Sequence, residues 1–163
     1  MGEVNDERRG WKRGNGMKLR AIVVDDNEQV RSVISSIMEL RGYEVLSSPE
    51  PLVCPVYLDG ECPCPYDHAC MDVLITDNKT PKMTGLDFIE NQTRNGCKAI
   101  VRNKAVISGN WTEEELEQAK SLGCQIFNKP FRFKEINKWL DECEKRIDPN
   151  RKLAELPKGD KNS

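Results

Sequence analysis

The strongest constraint on this chain is a repeated change between short, almost continuously apolar runs and longer amphipathic segments. The run KLRAIVVDD, residues 18–26, is rich in β-branched residues and ends in two aspartates. In the following NEQVRSVISSIMELRG the apolar residues recur at helical spacing, and Gly42 lies where a helix C-terminus favours glycine. Four more apolar runs follow: YEVLSS, MDVLITD at 71–77, KAVISG at 104–109 and CQIFNK. Such strands, alternating with helices, predict an α/β fold with a parallel sheet covered on both faces.

The polar ends of the chain differ from this alternating part. Residues 1–16 are polar, glycine-bearing and partly basic, and residues 148–163 are polar, with Pro149 near their start. Segments of this kind bury little apolar surface and stay flexible unless contacts hold them. A chain of 163 residues is long enough for one core and short of a second. We therefore predict one folded domain over 17–147, with a flexible extension before it and a flexible tail after it.

Composition argues against several kinds of partner. Lys plus Arg, 25 residues, nearly balances Asp plus Glu, 27 residues, and the formal net charge is -2. This balance disfavours a bulk electrostatic affinity for nucleic acid or anionic membranes. No apolar stretch of the sequence approaches the roughly 18 residues of a membrane helix, and its start has no apolar signal core. We expect a cytoplasmic protein with no direct nucleic-acid partner and no membrane partner.

Five polar residues lie at the carboxyl ends of four predicted strands. They are Asp25, Asp26, Asp77, Ser108 and Lys129. In open parallel sheets, ligands bind at this edge, where loops from neighbouring strands converge. Three adjacent carboxylates repel one another unless a cation neutralises them, and Mg²⁺ suits such oxygen ligands. Taken singly, each residue is better explained by a helix cap or a surface charge, but together they predict a site for a metal ion and a phosphoryl group.

The segments VVDDN, LITDNKTPKMTG, VISGN and FNKPF carry a family resemblance. In this order and at these separations they resemble the receiver domain of two-component response regulators, over about residues 18–147. The resemblance implies a flavodoxin-like (CheY-like) sheet of five parallel strands in the order 2-1-3-4-5, with helices on both faces. It also implies a single-domain response regulator that signals to a downstream effector protein by conformational change.

The resemblance assigns a role to each acidic residue. Asp77 matches the phosphoacceptor, which receives its phosphoryl group from a sensor histidine kinase or a histidine phosphotransfer protein. Asp26 matches a direct Mg²⁺ ligand, and Asp25 its acidic neighbour, which acts through water. The backbone carbonyl of Lys79 matches the third protein ligand. The implied metal site therefore consists of Asp25, Asp26, Asp77 and Lys79.

Two further matches complete the implied catalytic set of Asp77, Ser108 and Lys129. Lys129 would pair with the phosphoryl charge, and Ser108 would donate a hydrogen bond to it and draw its loop along. The family pattern also implies a cis peptide bond between Lys129 and Pro130. One position departs from the pattern: the family usually has Tyr or Phe three residues before the lysine, and this chain has Ile126. The usual aromatic readout is therefore in doubt, although the chemistry is not.

Two other functional classes use similar residues. Phosphatases of the haloacid dehalogenase type have an aspartate nucleophile, Mg²⁺, a hydroxyl and a lysine. They place a second aspartate two residues after the nucleophile, usually at the first strand, whereas Lys79 holds that offset here and Asp77 follows the third strand. A receiver-like module that only binds partners would normally have lost one of the five polar residues. We therefore expect a signalling protein and not a dedicated enzyme.

Residues 49–70 interrupt the family pattern. Five prolines and Gly60 make a continuous second helix implausible there, so we predict a Cys/Pro-rich loop in its place. Four thiols in the loop follow a C-x7-C-x-C-x5-C spacing: Cys54, Cys62, Cys64 and Cys70. They are candidate ligands, alone or with His68 in place of one thiol, for Zn²⁺ or an iron-sulfur cluster.

Other interpretations of the thiols remain open. Some of them can be packed under the loop or joined by a disulfide, or they can act as a redox switch. A metal- or redox-sensing module, with this loop as its main input, is accordingly the alternative function. The other three cysteines, Cys97, Cys124 and Cys143, are expected in the core or on helix flanks.

Overall fold

The computed structural model describes residues 18–59 and 63–156. Its strands are β1 (Leu19–Val24), β2 (Tyr43–Ser48), β3 (Val73–Asp77), β4 (Lys104–Ser108) and β5 (Gln125–Asn128). Its helices are α1 (Glu28–Leu40), the single turn α2 (Pro55–Leu58), α3 (Gly85–Arg94), α4 (Glu113–Leu122) and α5 (Phe133–Lys145), with a 3-10 turn at Val101–Asn103. All neighbouring strands pair in parallel, in the order β2-β1-β3-β4-β5. The predicted fold class and strand order are confirmed.

The sheet buries both of its faces because successive side chains of a strand point to opposite sides. In β1, Ala21 and Val23 contact the side covered by α1 and α5, and Ile22 and Val24 contact the other. The first layer takes its apolar helix residues from Ile34, Ile37, Met38, Ile136, Trp139, Leu140 and Cys143. The second takes them from Val56, Tyr57, Leu86, Phe88, Ile89 and Ala119. The near-continuous apolar strands of the sequence follow from this two-sided burial.

Local signals set the helix ends near the functional edge of the sheet. The side chain of Asn27 accepts hydrogen bonds from the first backbone N–H groups of α1, and Thr84 does the same for α3. Thr112 and Glu115 form a capping box at the start of α4. Gly123 ends α4 in the left-handed conformation, with φ 85°, which glycine adopts without strain. All three helices begin after loops that leave the carboxyl ends of β1, β3 and β4.

The Cys/Pro-rich segment, predicted as a loop in place of a continuous second helix, contains one helical turn. Pro55 occupies the first turn of α2, a position that needs no backbone N–H. Val56 and Tyr57 are buried, and the Tyr57 ring meets Phe88 of α3 edge to face, with 5.5 Å between ring centroids. One turn with an aromatic anchor therefore covers the sheet in place of the missing helix.

The chain after α5 differs from the predicted flexible tail, because residues 148–156 are held against the sheet. Arg151 binds both carboxylate oxygens of buried Asp72, at 2.8 and 2.6 Å. Ala154 donates its backbone N–H to Ala69 and accepts from the Arg20 guanidinium. A buried carboxylate needs such a partner, and Arg151 supplies it. The predicted extension at 1–16, and the tail beyond residue 156, lie outside the described residues.

None of the helices within the described ranges is long and apolar enough to cross a membrane.

Candidate functional site

Three carboxylates converge at the carboxyl ends of β1 and β3. Parallel pairing sets Val24 beside Thr76, so the residues that follow these two are brought to one edge. One oxygen from each of Asp25, Asp26 and Asp77 lies within 4.8 Å of the others. Asp25 and Asp77 are buried, and Asp26 is exposed. The sheet topology thus assembles residues that the sequence separates by about fifty positions.

Lys129, directly after β5, bridges the two buried carboxylates. Its ammonium lies 3.1 Å from Asp25 Oδ2 and 3.0 Å from Asp77 Oδ1. The Lys129 N–H donates to the Ser108 carbonyl, which fixes the lysine beside the end of β4. The Lys129 to Pro130 peptide is cis, as predicted. One cation therefore faces three carboxylates, and the site keeps an excess of negative charge.

Burial and the neighbouring charges change the protonation of Asp25 and Lys129. Burial raises the pKa of Asp25 above its usual value; the Asn27 N–H and Lys129 offset part of the rise, and the charge of Asp77 adds to it. Its Oδ2 atom is fully buried and has no aligned hydrogen bond within the described ranges, although the Lys129 ammonium is near. Burial lowers the pKa of Lys129, but the hydrogen bonds and charges of Asp77 and Asp25 outweigh it and raise the pKa overall.

The donor set fits a hard divalent cation. The clustered atoms are all carboxylate oxygens, which Mg²⁺ prefers. Lys79, the fourth predicted ligand, has an exposed side chain, and its backbone N–H donates to Asp77 Oδ2 at 3.2 Å. Lys79 also forms an antiparallel bridge with Thr84, which shapes the loop after β3. These residues can hold a magnesium ion.

Ser108 reaches the same edge, but its hydroxyl faces its own loop. The Ser108 Oγ lies 3.1 Å from both the carbonyl and the N–H of Asn110, donating to the first and accepting from the second. Pairing of Asp77 with Ile107 places Ser108 one residue beyond the level of Asp77. In the structure the serine therefore stabilises the β4–α4 loop instead of contacting Asp77.

Asn78 is a residue of this region that the sequence argument missed. It is buried, its Oδ1 accepts from the Leu86 N–H at the start of α3, and its Nδ2 donates to Glu115 Oε2 at 3.0 Å. The other oxygen of Glu115 completes the capping box of α4 with the Thr112 N–H. Asn78 thus links the chain beside Asp77 to two helix starts. A polar residue directly after the apolar strand was the available signal.

The predicted thiol site is not assembled from its described members. Cys62 lies outside the described residues, and His68 is exposed. Over residues 18–59 and 63–156, the acidic cluster is the one group of three or more candidate ligands within 4.8 Å. Cys54 and Cys70 are buried free thiols, and Cys64 is half-buried. Cys143 is buried as expected, whereas Cys97 and Cys124 are only partly covered.

Comparisons with known proteins bear on the fold. No family model matches the sequence. The protein-glutamate methylesterase/protein-glutamine glutaminase of Methylobacillus flagellatus is 31% identical over 80 residues, which cover 48% of this chain and 20% of that protein. This chain thus matches only about a fifth of its curated relative.

Solved structures extend the comparison to most of the chain. A response regulator receiver domain protein from Clostridium thermocellum matches with a TM-score of 0.62 and 20% identity, covering 78% of this chain and 95% of that one. The chemotaxis protein CheY4 of Vibrio cholerae matches with a TM-score of 0.55 and 20% identity, covering 77% and 98%. The five-stranded parallel sheet of this chain, in the order β2-β1-β3-β4-β5, matches the fold of these proteins. This protein has the fold of a CheY-like response regulator receiver domain.

Proposed function

We propose that this protein is a phosphoryl-accepting response regulator, which receives a phosphoryl group on Asp77 and signals its state to an effector protein. The donor would be a sensor histidine kinase or a histidine phosphotransfer protein in the cytoplasm. The observation that carries the proposal is the position of the Asp77 carboxylate, 3.0 Å from Lys129 and clustered with Asp25 and Asp26. A signalling protein, not a dedicated enzyme, fits this arrangement.

Transfer requires one Asp77 oxygen to attack phosphorus. That oxygen forms the new O–P bond while the N–P bond to the donor imidazole breaks, and the imidazole leaves with the electron pair. The Lys79 N–H holds Oδ2 of Asp77 and Lys129 holds Oδ1, so the carboxylate is oriented before the donor arrives. After transfer, the Lys129 ammonium can pair with a phosphoryl oxygen in place of the Asp77 carboxylate.

The magnesium site belongs to the same proposal. Asp25, Asp26, Asp77 and the Lys79 carbonyl would hold the ion, and the close approach of three carboxylate oxygens, within 4.8 Å of one another, supports a cation there. When bound, Mg²⁺ supplies positive charge against the oxygens of the transferring group. Three carboxylates and one lysine leave a net negative charge, so these residues can balance the charge of the ion without a further anion.

The output would start at Ser108. Its hydroxyl is engaged with Asn110, and a phosphoryl group on Asp77 would offer it a stronger, charged acceptor. Turning toward it would release the β4–α4 loop. The Asn78 to Glu115 hydrogen bond gives α4 a second connection to the acceptor, and it does not depend on the aromatic residue that Ile126 replaces. An effector would then read the changed position of α4.

Acetyl phosphate with Mg²⁺ tests the proposal. Intact mass spectrometry should show one added phosphoryl group on the wild type and none on Asp77→Asn, and chelation of Mg²⁺ should abolish labelling. Asp87→Asn is the matched control, because Asp87 lies on the exposed side of α3 and should label like the wild type. Labelling of Asp77→Asn at the wild-type level would refute the assignment.

A further inference from the structure

A buried lysine lies at the opposite end of the sheet from the acidic site. Lys104 begins β4, its residue is 1% exposed, and its ammonium donates to Gln92 Oε1 at 2.7 Å and to Cys97 Sγ at 3.3 Å. No carboxylate of the described chain forms an ion pair with it. A buried ammonium without an anion is unfavourable, so this place calls for negative charge.

Two thiols contact the same hydrogen-bonded pair. The side-chain amide of Gln92 accepts from Lys104 through Oε1 and donates to Cys54 Sγ through Nε2, at 3.6 Å. The backbone carbonyl of Gln92 accepts from the backbone N–H of Cys97 at 2.9 Å, which fixes Cys97 after the end of α3. Cys54 and Cys97 are 43 positions apart in sequence, and the Gln92 to Lys104 pair joins them.

Two more thiols belong to this cluster. The Cys64 N–H donates to the Asn95 carbonyl at 2.8 Å, which ties the Cys-rich loop beside the segment that carries Cys97. Cys70 is buried in the same apolar layer as Cys54. Burial raises the pKa of the Cys70 thiol, and the charges of the Cys97, Cys54 and Cys64 thiols raise it further, so the four thiols lie in one region of the molecule, although no three of their sulfurs lie within 4.8 Å of one another.

We propose that Cys54, Cys64, Cys70 and Cys97 bind a thiophilic metal centre, with Lys104 as its buried counter-charge. Four thiolates around one divalent ion, or around an iron-sulfur cluster, leave a net negative charge that an ammonium compensates. Gln92 and Lys104 already donate to two of the sulfurs, and such N–H to sulfur hydrogen bonds tune thiolate-bound centres. This set contains Cys97, which the sequence argument assigned to a helix flank, and it omits Cys62.

The spacing of the sulfurs bears on the kind of centre. Among the described thiols, no three sulfurs lie within 4.8 Å of one another. A single zinc ion with Zn–S bonds of about 2.3 Å would draw them closer and close the loop on α3. An iron-sulfur cluster places an iron under each thiolate and spans a wider set. Both share the tetrathiolate chemistry, and metal analysis separates them.

The experiment is metal analysis of the full chain, purified anaerobically and also reconstituted with Zn²⁺ or with ferrous iron and sulfide. We expect about one equivalent of zinc, or iron with matching acid-labile sulfide and a visible charge-transfer band. Less than about a tenth of an equivalent of either after reconstitution would overturn the proposal. The outcome is independent of phosphorylation on Asp77.

Four variants locate the ligands. Cys97→Ser and Cys64→Ser should lose metal, whereas Cys62→Ser and Cys124→Ser should retain it at the wild-type level. Lys104→Met should weaken binding about tenfold, as loss of a group that supports metal ligands does. Far-UV circular dichroism of the metal-free variants checks that they fold; either ligand variant alone suffices if the other does not. Wild-type binding by Cys97→Ser, or loss of metal by Cys62→Ser, would refute the ligand set.

Discussion

The two ends of the sheet each place a lysine among candidate ligands, but with opposite charge balance. At the carboxyl ends, Lys129 lies between Asp25 and Asp77, and three carboxylates outnumber one ammonium. At the amino ends, Lys104 faces an amide oxygen and a thiol with no carboxylate partner among the described residues. The first end therefore attracts a cation, and the second attracts an anionic centre. Residual charge, more than residue type, indicates what each end binds.

The largest effect on stability is expected from Gly85→Ala, which adds a methyl group at the carboxyl end of the sheet. A Cβ at this position would lie 2.6 Å from the Asp77 carbonyl oxygen and 3.2 Å from side-chain atoms of Thr76 and Val106. The nearest atom belongs to the backbone of β3 and cannot move aside freely. We expect the free energy of unfolding to fall by about 3 kcal/mol, measured by urea denaturation.

Gly109→Ala is the matched control at the same end. There a Cβ would meet only the Lys129 Cβ at 3.9 Å, an ordinary contact. Its unfolding free energy should stay within about 0.5 kcal/mol of wild type. Equal losses of unfolding free energy in the two variants would contradict the idea that β3 and α3 are closely packed around Asp77.

The two ends also differ in how far the sequence predicted them. The acidic site was predictable because its residues follow apolar runs directly, and parallel pairing brings strand ends together whatever lies between. The thiol cluster was only partly predictable, since neighbours in sequence, Cys54 to Cys70, were grouped while Cys97 comes from beyond α3. Lys104 gave no signal, as it simply begins an apolar run. Residues 148–156 are held by the Asp72 to Arg151 pair and by the hydrogen bonds of Ala154 to Ala69 and Arg20, and no periodicity in the sequence reveals these contacts.

Replacing each lysine by methionine should change stability in opposite directions in metal-free buffer at neutral pH. Lys129→Met leaves two buried carboxylates without their cation, and we expect a loss of about 2 kcal/mol, given that the lysine is partly exposed. Lys104→Met removes an uncompensated buried charge at similar volume, and we expect a gain of about 1 kcal/mol. Urea denaturation of both variants beside wild type measures the difference.

Metal binding at the amino ends of the strands should reverse the expected effect of Lys104→Met on stability. If the amino-end centre forms, reconstituted Lys104→Met should be less stable than reconstituted wild type, because its counter-charge is lost. Mg²⁺ should not affect this variant differently from wild type, since Lys104 lies at the far end of β4 from Ser108. A loss of stability in metal-free Lys104→Met comparable to that of Lys129→Met would mean that the two lysines are equally well paired.

The smallest effect concerns the protonation of Asp25, which tests the negative excess at the carboxyl end directly. Burial raises its pKa above the ordinary 3.8, so the folded protein binds this proton more tightly than the unfolded chain does. The unfavourable contribution of the Asp25 charge is then fully present above the folded pKa. It is relieved as the pH falls through that value toward 3.8, so this group alone makes the protein more stable on acidification within that window.

Carboxyl ¹³C NMR in Mg²⁺-free buffer should give a pKa above 3.8 for Asp25, and added Mg²⁺ should lower it because a cation favours the charged form. A value at or below 3.8 without Mg²⁺ would show that Lys129 and the Asn27 N–H already compensate the buried charge, and the carboxyl end would then have no greater need of a cation than the amino end.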